Sequence, residues 1–417
     1  MLLTKKGEES DPLKKKAIHC PMHNQETTDF ITAHRNDDVR RLALQAQRYP
    51  NVDMRQAITQ IEGWQLAKEK LPQWAATEGI VYPPRLSMEQ CSSEATAQYK
   101  ASIVDGDIMT DLTGGFGIDC SYMARKFKRA VYIERSELLC NIARHNFKLL
   151  KLDHIEIINS TCEETLDTLP QCDWIYSDPA RRDHSGGKVV ALSDCEPNIP
   201  QLEERLMQRC NRAMIKCSPM LDITAACRNL KNIQEVHIIA VNNECKELLF
   251  ILSSSKDSTP VNLHCINISK NGEQRFSTTI GNNREQPQYS NSIKEYLYEP
   301  NAAIQKGGCS AALAYELRIE KLHPNSHLFT SSEPIGDFPG RSFIVDGVCS
   351  FAKSKIKKVI GGIKQANITL RNFPDTVQGV RKRLKIAEGG DIYLFATTLN
   401  NGEKILIKCR KSTQSGT

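Results

Sequence analysis

From about residue 101 onward, short apolar runs alternate with helix-patterned stretches, and this alternation limits the possible folds more than any other feature of the chain. Residues 108–112, 130–133, 155–158, 174–177, 213–216 and 236–241 read as strands, and 247–252 adds one more. Apolar residues at helical spacing fill 138–150 and 202–210 between some of them. Parallel neighbours need a helix-length crossover, so the alternation predicts an α/β fold whose parallel sheet is covered on both faces. Ligands of such sheets bind beyond the carboxyl ends of the strands.

At 417 residues the chain exceeds one ordinary core, and two to four domains are expected. Residues from about 30 to 78 carry apolar positions at helical spacing, as in the runs starting at Val39 and Ala57, with Pro50, Pro72 and Pro83-Pro84 as breaks. This predicts an N-terminal helical domain over 1–95 and an α/β domain over 96–255. Residues 253–300 are polar and weakly patterned. Strands are expected at 343–345, 367–370, 392–399 and 404–408, a helix at 376–386, and a turn at Asn401-Gly402. No apolar run approaches the roughly 20 residues that span a bilayer, and the first residues show no apolar signal segment, so neither a membrane nor secretion is expected. The 15 cysteines are scattered without a C-x-x-C pair, which suits a reducing cytoplasm. Cys20 and His23 have metal-ligand spacing but no second pair, so no obligate metal is expected.

The most informative run is Ile108-Met-Thr-Asp-Leu-Thr-Gly-Gly-Phe-Gly-Ile-Asp119. A strand ends in Asp111, Gly115 and Gly117 permit a tight turn and close approach of a ligand, and a helix follows. The next strand ends in Glu134, seventeen residues past Gly117, where a carboxylate can accept from a ribose diol. A dinucleotide site would have a third glycine where this chain has Cys120, and it seldom tolerates an acid facing a pyrophosphate. Asp111 suits a positively charged ligand, such as the amino acid end of S-adenosylmethionine. The pattern D-x-x-x-G-x-G resembles motif I of class I S-adenosylmethionine-dependent methyltransferases. After the third strand, Glu163 is a candidate for the acidic group near adenine, and equally a helix N-terminal acid.

The fourth strand ends in Ser177-Asp178-Pro179-Ala180-Arg181-Arg182. Enzymes that methylate nitrogen on nucleic acid bases carry a resembling (N/D)-P-P-(Y/F/W) motif there, whose side-chain oxygen and a backbone carbonyl align the amino group. Asp178 and Pro179 match it as catalytic candidates. Ala180 and Arg181 replace its second proline and its aromatic, leaving base nitrogen the leading acceptor. Arg181 and Arg182 are candidates for gripping a phosphate. Cys217, in Lys216-Cys-Ser-Pro219 at the end of the fifth strand, offers a second chemistry. A thiolate there would add to a pyrimidine and make its carbon 5 nucleophilic, as in cytosine carbon-5 methyltransferases. A third possibility is an RNA-binding protein whose methyltransferase core holds cofactor without turnover.

Residues 82–100, 177–183, 243–247 and 298–303 resemble the bacterial class I methyltransferases that carry a THUMP-like domain at the C-terminus, preceded by a small ferredoxin-like segment. The resemblance implies a Rossmann-like class I methyltransferase core with an N-terminal helical domain and small C-terminal α+β domains, ferredoxin-like over 256–320 and THUMP-like over 321–417. It also implies S-adenosyl-L-methionine as cofactor and RNA modification as the activity, with tRNA or rRNA as partner. Charge agrees independently. Residues 351–417 hold fourteen Lys or Arg against four acids, an excess of ten, while the whole chain is only +6. Positive charge concentrated on one module suits a polyanion. Arg381 and Lys385, four apart on the expected helix, are the RNA-contact candidates. Neither the target nucleotide nor the oligomeric state follows from the residues.

Overall fold

The structure is a computed structural model that describes residues 24–181, 191–255, 260–281 and 286–412. The chain forms two compact units, residues 1–176 and 177–417.

In the first unit, helices α1 (Gln25–His34), α2 (Val39–Leu44), α3 (Met54–Lys70), α4 (Pro72–Ala76), α5 (Arg85–Gln90) and α6 (Glu94–Ser102) precede the strands. Asn24, Asp38, Asp53 and Ser93 each cap a helix through a side-chain oxygen, so short polar residues mark the starts. Phe30, Leu42, Ala57 and Ile61 close a small core between α1, α2 and α3. There follow β1 (Ile108–Asp111), α7 (Ile118–Met123), β2 (Arg129–Glu134), α8 (Glu137–Leu149), β3 (Ile155–Asn159), α9 (Cys162–Thr165) and β4 (Cys172–Ser177). The strands run parallel in the order β4-β1-β2-β3. Each lies within two residues of its predicted bounds, because a buried parallel strand is a nearly continuous apolar run.

The second unit begins with a short ribbon of β5 (Ala180–Arg181) and β6 (Cys195–Glu196), followed by α10 (Ile199–Met207), β7 (Cys210–Cys217), α11 (Ile223–Asn229), β8 (Ile233–Val241), β9 (Glu244–Ser253), β10 (Asn262–Ser269) and β11 (Gly272–Thr279). The order is β7-β9-β8-β10-β11. Strand β9 is antiparallel to both neighbours, a departure from the all-parallel expectation. Its cause is local: Asn242 and Asn243, with φ of 51° and 64°, turn the chain straight back after β8. Residues 262–279, expected within a ferredoxin-like module over 256–320, instead extend this sheet, with β10 parallel to β8 and β11 antiparallel to β10.

The rest of this unit comprises β12 (Tyr296–Pro300), α12 (Ala302–Gly307), α13 (Ser310–Glu316), β13 (Glu320–Lys321), β14 (Phe329–Ser331), β15 (Gly340–Ser350), α14 (Lys353–Ile360), β16 (Asn367–Arg371), α15 (Val377–Leu384), β17 (Ile392–Thr398) and β18 (Lys404–Lys411). They build a second sheet in the order β13-β14-β12-β15-β18-β17-β16. Leu297, Phe343, Phe395 and Ile407 form part of one core cluster, and Ile356, Val380, Leu394 and Leu406 part of another under α14 and α15. Glu299 of β12, 2% exposed, is clamped by Arg341 of β15 and Arg371 of β16.

Candidate active site

Strand β1 delivers Asp111 to the end of the first unit's sheet, in register with Tyr132 of β2 and Tyr176 of β4. Asp111 is 1% exposed, and its Oδ1 accepts from the Thr113 N–H at 3.0 Å. Gly115 and Gly117 take φ of 56° and 84°, the left-handed region that the tight turn into α7 requires. The Gly115 N–H donates to Glu134 Oε2 at 2.9 Å, the Ser136 N–H donates to Glu134 Oε1 at 2.7 Å, and the Tyr132 hydroxyl donates to the Gly115 carbonyl at 2.6 Å. Asp111, Gly115, Gly117 and Glu134 therefore stand around one ring, that of Tyr132.

Carboxylates act directly on the groups around the Tyr132 ring. Burial pushes the Tyr132 phenol well above its ordinary value, and the charges of Glu134 and Asp111 push it further. Burial also raises the Cys120 thiol, with Asp111 and Asp119 adding to the effect. Carboxylates beside the glycine turn favour a cationic ligand over a pyrophosphate.

Gly114 and Lys100 also belong to the cluster, although the motif alone does not single them out. A Cβ at Gly114 would lie 2.2 Å from the Tyr132 ring, so no side chain fits there. Lys100 of α6 is fully buried, 3.2 Å from Asp119 Oδ1 and from Ser92 Oγ. Asp119 Oδ2 accepts from Ser92 at 2.7 Å and from the Tyr176 hydroxyl at 2.6 Å. This network ties α6 and α7 to the last turn of β4. Glu163 stands exposed in the first turn of α9, where Thr161 and Glu164 form the capping box. It follows β3, whose Asn159 pairs with Glu134.

In the second unit, Asp178 Oδ2 lies 2.5 Å from Lys216 Nζ, an ion pair between the residues after β4 and the end of β7. The carboxylate is partly exposed and the ammonium nearly buried. Pro179, Leu192, Lys216, Cys217, Ser218 and Leu221 line part of a cavity of about 50 Å³. The structure thus brings Asp178, Pro179 and Cys217 together and adds Lys216. Burial pushes the Cys217 thiol well above its ordinary value, and the Asp178 charge adds to this against the opposing effect of Lys216. A thiol so raised is protonated near neutral pH and is a poor nucleophile. Arg181 enters the description through its backbone in β5, and Arg182 lies outside the described residues, as do Cys20 and His23.

A crystal structure of a Porphyromonas gingivalis W83 protein carrying a methyltransferase assignment is 36% identical to this chain, covers 93% of this chain and 97% of that one, and superimposes with a TM-score of 0.84. The chain belongs to that family. It is a class I S-adenosylmethionine-dependent methyltransferase with a Rossmann-like α/β core and a C-terminal THUMP-like domain. A family model described as a ferredoxin-like domain matches residues 296–339, and one described as THUMP domain-like matches 340–411. Two proteins from Mycobacterium tuberculosis strains, CDC 1551 / Oshkosh and ATCC 25618 / H37Rv, are each 21% identical over 321 residues, 76% of this chain and 84% of theirs. Both are named as uncharacterized S-adenosylmethionine-dependent methyltransferases.

Within the methyltransferase's THUMP-like module, the basic residues divide into two groups. Arg371 is engaged by Glu299, Arg383 by Asp375 and Arg410 by Asp346. Arg381, half-buried, donates to the Ala366 carbonyl at 3.3 Å and lies 3.8 Å from Glu388. Lys385 is not on the helix with it: α15 stops at Leu384, and Lys385 takes a left-handed conformation with φ of 56°. The shared helical face expected of Arg381 and Lys385 is therefore absent. Lys353, Lys355, Lys357 and Lys358 of α14 are all exposed, with Ile356 turned into the core.

Proposed function

We propose that this methyltransferase modifies RNA, tRNA or rRNA, at a base nitrogen, in the cytoplasm. The observation that carries the acceptor assignment is the Asp178 carboxylate, ion-paired to Lys216 beside the cavity lined by Pro179. The fit of the donor to the first cluster rests on its chemistry: a turn opened by Gly114, Gly115 and Gly117, with two carboxylates beside it. Asp111 and Glu134 would hold the donor's ammonium and ribose ends, and Glu163 is the candidate for its adenine. S-adenosylmethionine, when bound, supplies a methyl group already activated by the sulfonium. Asp178 accepts a hydrogen bond from the acceptor amino group and fixes its direction, and orientation of this kind supplies much of a rate. Lys216 holds the carboxylate in place and limits its rotation. Arg181 and Arg182 would contact a phosphate of the RNA. The exposed lysines of α14, with Arg381 and Lys385 nearby in sequence, give the THUMP-like module a polyanion-binding surface.

The test is methyl transfer in vitro to total RNA from a strain lacking the gene, followed by nucleoside mass spectrometry. The reading requires one methylated base to appear with wild-type protein and not with Asp178→Ala. Methylation only of small molecules, or carbon-5 methylcytosine that depends on Cys217, would replace it.

A further inference from the structure

The second unit's sheet gathers three metal-ligating side chains on one face. Glu235 and His237 are two residues apart on β8 and so point the same way. His264 stands opposite His237 in the register of β8 and β10. The opposite face is marked by Gly307 of α12, whose Cβ position lies 3.0 Å from Ile238 and 3.1 Å from Cys265, the sequence neighbours of the two histidines. His237 Nε2 lies 3.1 Å from Glu235 Oε2, and His264 Nε2 lies 3.7 Å from the same oxygen. One ligand atom from each of the three residues falls within 4.8 Å of the others.

The two separations from Glu235 Oε2, 3.1 and 3.7 Å, bracket those of a metal site. Two bonds of about 2.0–2.2 Å at a tetrahedral angle place their donor atoms about 3.3–3.6 Å apart. An outer partner is also in place: Ser277, opposite His264 on β11, has its Oγ 2.8 Å from His264 Nδ1, which leaves Nε2 directed at Glu235. Arg212 Nη1 lies 3.9 Å from the other Glu235 oxygen and balances part of its charge.

We propose that Glu235, His237 and His264 bind a divalent transition-metal ion of the zinc type, with one coordination position left for water. Two imidazoles and a carboxylate form a ligand set of intermediate softness that suits zinc over magnesium or calcium. The ion would clip β8 to β10, and none of its ligands belongs to the donor or acceptor cluster.

The test uses the full chain, stripped with a chelator and titrated with Co2+ as a visible probe and Zn2+ by calorimetry. Wild type should bind one Co2+ with the intense visible absorption of a four-coordinate centre, and Zn2+ should displace it. His264→Ala and Glu235→Gln should weaken Zn2+ binding by roughly a hundredfold or more, and Ser277→Ala by roughly tenfold. S-adenosylmethionine affinity in these variants should remain that of wild type, which also reports that they are folded. His264→Cys should keep the site and add a thiolate-to-cobalt band in the near ultraviolet, a gain that a misfolded protein would not show. Absence of the cobalt band in wild type, or a band of wild-type strength in both His264→Ala and Glu235→Gln, overturns the proposal. In the second case the metal is held elsewhere among the 15 cysteines and 10 histidines.

Discussion

Three glycines in one turn are constrained in three different ways, and alanine at each should cost a different amount. At Gly115 a Cβ meets nothing closer than the Thr113 carbonyl at 3.7 Å, so Gly115→Ala bears only the left-handed φ of 56°, about 1–2 kcal/mol. At Gly114 a Cβ would lie 2.2, 2.4 and 2.6 Å from three atoms of the Tyr132 ring. That ring is fully buried, packs edge-on against Phe147 at 5.6 Å and anchors the turn through its hydroxyl. Displacing it adds about 1–3 kcal/mol of overpacking to about 1 kcal/mol for the lost hydrogen bond. Gly114→Ala should therefore lose about 2–4 kcal/mol. Gly117→Ala combines a φ of 84° with a 2.8 Å approach to Phe147 and should lose at least as much. Urea unfolding reads these losses and donor calorimetry reads their effect on the site, where Gly114→Ala should weaken S-adenosylmethionine by tenfold or more. Trimming the obstacle supplies the control: Tyr132→Leu should cost less in the Gly114→Ala background than in wild type, a coupling of opposite sign to two independent losses. If Gly114→Ala matches wild type in both assays, or the two substitutions simply add, the ring does not constrain the turn and the reasoning fails.

Asp111→Ala and Glu134→Ala should each weaken S-adenosylmethionine by about 1–3 kcal/mol in calorimetry, and equal affinities in all three proteins would remove both from the donor site. Asp178→Ala should abolish methyl transfer while donor affinity changes little, because its contact with the acceptor matters most in the transition state. Lys216→Met should lower kcat with donor affinity unchanged, and Cys217→Ser should stay active; an inactive Cys217→Ser beside an active Asp178→Ala would install the carbon-5 mechanism. Replacing Lys355, Lys357 and Lys358 with Glu should weaken binding to RNA and reduce the slope of log K against log salt by about 2, at roughly 0.7 per phosphate contact. A filter-binding titration in which that variant follows wild type at every salt concentration would move the docking surface off α14.

Strand β2 was readable because burial on both faces makes it apolar, as in Ala130-Val-Tyr-Ile133, and β3, at the sheet edge with Glu156 exposed, was readable from its isoleucines. Strands β10 and β11 were not. β10 intersperses Leu263, Cys265, Ile266 and Ile268 with His264 and Asn267, which hydrogen-bond to Ser277 and Gln274 on β11. β11 is an edge strand whose sole buried apolar residue is Phe276. Helix α14 escaped notice because four lysines fall within its eight residues, leaving Ile356, Val359 and Ile360 as a short apolar stripe.

The same physics separates the legible from the illegible part of the site. Asp111, Gly115 and Gly117 lie in one short run, and Glu134 ends the next strand, so local order suffices to place them together. Gly114 is required by Tyr132, 18 residues on, and Lys216 answers Asp178 across 38 residues. These needs arise from contact, not from spacing. Charge shows the difference most directly. Counting Lys and Arg along residues 351–417 finds the basic module but treats every cation alike. Folding assigns Arg371 to Glu299 of β12 and Arg381 to the Ala366 carbonyl, while Arg383 and Arg410, paired with Asp375 and Asp346, stay exposed like the lysines of α14. A guanidinium with five directed donors fits a carboxylate whether buried, as at Glu299, or exposed, as at Asp346, whereas an ammonium on a flexible stem is readily left in water. Composition weighs every cation alike and so does not show that Arg371 and Arg381 are taken up within the fold.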